Sequence, residues 1–172
     1  MRKKGEIIMS KTMDKTLMTI EIINIVAFLN NAIETKKIDE LGVKFRWAIK
    51  KSMKELVEVD LKFKEFKEEL ESGLKEEFFM NDEKSELTTI TQKGEDGQDM
   101  PVEVKKVKDE YMDEYNRKLD EINGKLREVL YDTNDVTINV VDVDSEIEKL
   151  SDDTAFTFED LEMLSVFDRE DA

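Results

Sequence analysis

Apolar residues crowd more than one helical face in TLMTIEIINIVAFLNNAI, residues 16–33: Leu17, Ile20, Ile23, Ile25, Phe28 and Leu29 form a stripe that Ile22 and Val26 widen. A stripe this broad predicts a helix buried on most sides. A narrower pattern follows, in which Ile49, Leu56, Phe63 and Leu70 recur every seven residues and Met53, Val59, Phe66 and Leu74 fill the alternate seam. It predicts one long helix from about Val43 to Met80. The alternation of Val43, Phe45 and Trp47 with Lys44 and Arg46 would also suit a strand, but Phe45, Ile49 and Met53 keep helical spacing. Met112, Tyr115, Leu119, Ile122, Leu126 and Val129 step by three and four and predict the antiparallel partner.

Between these helices, Leu87 to Thr91 and Met100 to Val104 are short β-prone runs flanking KGEDGQD. The tip is therefore either a β-hairpin or a disordered loop. After Tyr131 the stretch DVTINVVDVD predicts one strand, Val136 to Val143, whose partner the sequence leaves open: the region of Val43 to Trp47, the tip, or a second copy of the chain. In TFEDLEMLSVFDREDA, Thr157 and Asp160 form a capping box that starts a helix at Phe158. Phe158, Leu161, Met163, Leu164, Val166 and Phe167 make its apolar surface too broad to leave in water, so the segment is expected to close the core rather than to hook a partner's groove.

The architecture expected from these patterns is mainly α: a long antiparallel helical hairpin, or coiled-coil arm, tipped by the β-prone loop and packed at its base on the N-terminal helix, a short strand and the C-terminal helix. Its boundaries are a flexible N-terminus at 1–15, a core helix and linker at 16–42, the arm at 43–131 with a tip loop at 81–104, and an acidic strand plus C-terminal helix at 132–172. Gly5-Glu6 can be encoded as GGAGAA, a ribosome-binding-like sequence two codons before Met9, so translation is expected to begin at Met9 rather than Met1.

Composition narrows the chemistry. The chain has no cysteine and no histidine, which removes disulfides, thiolate metal sites, the usual general base and the commonest zinc ligand. No phosphate-binding glycine loop, GxSxG, HExxH or CxxC occurs, so no catalytic residue, metal ligand or cofactor is expected. The N-terminus lacks an apolar run of signal-peptide length, and no stretch is long enough to span a membrane. The expected setting is the host cytoplasm or a virion.

Charge is uneven. The formal net charge is −16, and residues 132–172 carry 14 Asp and Glu against Lys149 and Arg169. Such a field disfavours direct nucleic-acid binding and attracts a protein partner with a basic surface. Solubility is the plain explanation of such acidity; the sharper one is a nucleic-acid mimic, with Asp142, Asp144, Glu146, Asp152 and Asp153 as the partner-binding candidates. Asp142, Asp144 and Glu146 alternate as in a calcium loop but lack the glycine its turn requires. Trp47 is expected to be a core or interface anchor. Homo-oligomerisation is left open.

The stretches EIINIVAFLNNAI, VKFRWAIKKSMKELVEVDLKFKEFKEEL and FTFEDLEML give the chain its likeness to a known group: it resembles a family of small uncharacterised proteins encoded by tailed phages and prophages of Gram-positive bacteria. The resemblance supplies a setting, transfers no functional residue, and implies a non-enzymatic protein working through protein–protein contacts in virion assembly or on a host factor. The alternative is an acidic inhibitor of a host or defence nucleic-acid-binding protein.

Overall fold

The computed structural model describes residues 11–95 and 97–169, so the expectation for residues 1–8 lies outside it. The expected mainly α architecture is overturned by four strands in two separate antiparallel sheets. Strand β1 (Lys11–Met18) pairs with β4 (Thr133–Val140), and β2 (Ser85–Lys93) pairs with β3 (Asp99–Val107). The helices are α1 (Thr19–Glu34), α2 (Val43–Phe78), α3 (Met112–Leu130), α4 (Val143–Ile147) and α5 (Phe158–Leu164). Two compact units result: one takes the chain up to Phe63 and from Leu130 onward, the other Lys64–Val129.

In the first unit, the segment expected to be a flexible terminus is strand from Lys11. Its register runs from Lys11 opposite Val140 to Met18 opposite Thr133, which puts Met13, Lys15 and Leu17 on the same face as Ile138, Val136 and Asn134. Val136, Ile138 and Val140 are buried there against Ile22, Ile25, Val26 and Leu29 of α1 and Phe45, Ile49 and Leu56 of α2. Each large side chain so buried contributes roughly 1.5–3 kcal/mol. Strand alternation and helical periodicity thus meet in one core.

The edge of β4 turned away from β1 is satisfied by groups from other elements. Glu55 accepts the Thr137 N–H at 2.6 Å, Ser52 Oγ accepts the Asn139 N–H at 2.8 Å, and the Phe167 carbonyl accepts the Val141 N–H at 2.9 Å. Ser52 and Glu55 are three residues apart and share one face of α2, so a helix does here what a third strand would do.

The closing segment packs as core. Leu164 and Phe167 are buried, and the Phe167 ring meets Phe45 edge-on at 6.0 Å. Thr157 Oγ1 accepts the Asp160 N–H at 3.2 Å while Asp160 accepts the Thr157 N–H at 2.8 Å, and Lys37 pairs with the same carboxylate. Phe158, grouped from sequence with the buried set, is instead 76% exposed.

In the second unit, Leu74 and Phe78 of α2 pack with Tyr115, Leu119 and Ile122 of α3, and the Tyr115 ring lies edge-on to Phe78 at 5.4 Å and to Phe79 at 5.7 Å. Lys84 seals this contact, with Glu77 at 3.3 Å, Glu114 at 3.2 Å and the Phe78 ring centroid at 4.6 Å. The tip is an ordered hairpin with nine-residue strands, longer than the β-prone runs suggested. Its turn is closed by the Gly94 N–H donating to the Gln98 carbonyl at 2.9 Å, with Gly97 at φ 77°, a conformation that glycine adopts without strain.

Candidate functional site

The five acidic candidates differ in what holds them. Asp142 caps α4, accepting the Ser145 N–H at 3.0 Å and pairing with Arg169 at 2.7 Å. The Ser145 N–H, helped by Arg169, holds its carboxyl below the usual aspartate range. The Glu146 side chain is only 11% exposed; Oε1 meets Lys149 at 2.8 Å, while Oε2 is buried without a hydrogen-bond partner. Gly42 makes room for it, because a Cβ at that position would lie 2.3 Å from Glu146 Oε2. Asp144, Asp152 and Asp153 are exposed. Two of the five acids therefore serve the fold, and three remain as surface charge.

Among the described residues, no group of three or more His, Cys, Asp or Glu side chains is arranged to hold a metal ion. No helix among them is long and apolar enough to cross a membrane.

Two other features present binding geometry. The first is one face of the β2–β3 hairpin. The register sets Thr88 opposite Val104, Ile90 opposite Val102 and Gln92 opposite Met100, so these six side chains share a face. Ile90 is 45% exposed and Met100 53%. At the base of this face Lys106 pairs with Glu86 at 2.9 Å, and this contact, together with Asp109, raises the lysine pKa and pins the ribbon. The β-prone runs were visible in the sequence, but which residues lie opposite one another across the ribbon follows only from the register.

The second feature is a groove of about 560 Å³ beside β1, bordered by α1 and by α5 with the 3-10 turn Ser165–Phe167. Sequence reading missed it because β1 was not recognised as a strand. Trp47 is not part of the core: it is 52% exposed, with the Lys51 and Lys50 ammonium groups 5.3 and 5.9 Å from its ring.

Compared with known proteins, the chain matches no protein-family model, no curated protein and no solved structure.

Proposed function

We propose that this chain is a non-enzymatic phage protein that acts through protein–protein contacts, as a virion-associated or assembly factor or as a binder of a host factor, in the host cytoplasm or the virion. The observation that carries the reading is the apolar face of the hairpin. Ile90, Met100, Val102 and Val104 are neighbours on a ribbon held at its base by α2 and α3; Ile90 and Met100 are exposed, Val102 and Val104 are half-buried, and none of the four belongs to either apolar core. Apolar side chains held in water by a well-braced ribbon favour a protein partner. The absence of histidine and cysteine supports the non-enzymatic part of the proposal.

The test is affinity capture from phage-infected or prophage-induced cells with three forms of the protein: the wild type, Ile90→Glu with Val102→Glu, and Asp144→Asn with Asp152→Asn and Asp153→Asn. The reading expects a partner retained by the wild type and by the neutralised acids, and lost by the hairpin variant. Loss with the neutralised acids and retention by the hairpin variant would instead favour the acidic nucleic-acid mimic.

A further inference from the structure

The outward N–H groups of Thr137 and Asn139 in β4 find acceptors on α2, whereas β1, among the described residues, is paired on one edge only. Because the N–H groups of Thr137 and Asn139 point away from β1, their register partners Asp14 and Thr12 turn their own N–H and C=O groups away from β4, and Thr16 opposite Asp135 does the same. Among the described residues, no backbone group bonds to this outer edge. The groove runs along it. Asp14, Lys15, Thr16 and Leu17 all line the groove, and since successive side chains of a strand alternate between faces, the cavity follows the strand's edge rather than one of its faces.

We infer that this groove is a docking site for an extended peptide segment of a partner protein, one that alternates aliphatic with lysine or arginine residues and adds to β1 as a third strand. Row after row of unpaired main-chain donors and acceptors is matched by another strand. Leu17, Ile25, Met163 and Val166 line the groove and offer contact to aliphatic side chains. Asp14, Glu21 and Glu162 supply the charge, and the cation beside them, Lys15, already donates to the Asp168 carbonyl at 3.0 Å. A basic segment is complementary to such a lining and an acidic one is repelled. This site goes beyond the hairpin face and has its own residues, so either can fail alone.

The test uses the full chain and three synthetic peptides: one alternating valine and lysine, the same peptide N-methylated at every amide, and one alternating valine and glutamate. Amide exchange followed by NMR should slow by at least about tenfold at Thr12, Asp14 and Thr16 with the first peptide and remain unchanged with the other two. The fully N-methylated peptide keeps its charge but has no backbone N–H to donate on either edge, so equal binding by it would reduce the effect to attraction by an acidic surface and overturn the proposal. No binding of the first peptide would overturn it, as would equal binding of the glutamate peptide. Protection of the three amides in concentrated protein without peptide would assign the edge to a second copy instead. A Thr16→Pro variant removes an outward N–H while leaving the β4 ladder intact, and should lose the peptide with its circular dichroism unchanged. Should that variant fail to fold, the methylated peptide still decides.

Discussion

The Ser52 hydroxyl accepts the backbone N–H of Asn139 at 2.8 Å and donates to the Ala48 carbonyl at 2.9 Å, joining helix α2 to the edge of β4. Ser52 is 1% exposed, so no water can substitute for it. Replacing it with alanine removes this acceptor from the buried Asn139 N–H, at a cost of about 1–3 kcal/mol. Urea unfolding of Ser52→Ala should reveal this loss with little change in the denaturant slope. A variant as stable as the wild type would mean that the helix does not cap the strand.

Asp160 supplies a pH dependence. Burial alone would raise its carboxyl, but Lys37 and the Thr157 N–H outweigh burial and hold it below the ordinary value of 3.8. A carboxylate whose pKa is lower in the folded than in the unfolded chain stabilises the fold above the unfolded value, and that contribution is lost as pH falls through the folded one. Asp160→Ala should therefore be destabilised at neutral pH, by about 1 kcal/mol for the lost acceptor of the Thr157 N–H. Its stability should converge on that of the wild type as pH falls below about 3.8. A difference that persisted unchanged at low pH would contradict the ion-pair account.

Gly42 and Glu146 should be coupled. With a Cβ only 2.3 Å from Glu146 Oε2, Gly42→Ala must push the carboxylate out of its niche. The end of a flexible side chain can yield, so the cost is about 1 kcal/mol. In a Glu146→Ala background most of that cost should vanish. Equal cost in both backgrounds, measured by a double-mutant cycle, would place the strain elsewhere.

Two aromatic residues two positions apart on α2 should behave oppositely. Phe45 is fully buried against Phe167, and Phe45→Ala should cost about 3–5 kcal/mol. Trp47 is 52% exposed, and Trp47→Ala should cost about 1 kcal/mol or less. Because Trp47 is the chain's single tryptophan, its fluorescence in the native protein should report a largely wet indole.

Periodicity made α1, α2 and α3 legible, and the capping box at Thr157 was readable from two residues, whereas α4 starts at Val143, where the sequence pattern suggested the end of a strand. The fold class was misread because β1 carries too few apolar residues to show a strand alternation. β1 has only Met13 and Leu17 as apolar residues on its inner face with Lys15 between them, so the alternation looked like a polar terminus. The partner of β4 was correspondingly undecided. Ser52 and Glu55 read as ordinary polar positions of a seven-residue repeat, since nothing local shows that a strand edge will need their oxygens. The burial of Glu146 was hidden for the same reason, because the niche opposite it depends on a glycine more than a hundred residues away in the chain. Phe158 shows the converse error, an apolar residue beside a cap that stays in water.

The central claim, docking through the hairpin face, is tested most directly by in-cell photo-crosslinking. A photoreactive amino acid would replace Met100 on that face in one version of the protein and Asp152 in the acidic segment in another. The account predicts a covalent adduct to one protein partner from position 100 and none from position 152. Adducts from position 152 alone would contradict it and move the contact to the acidic surface.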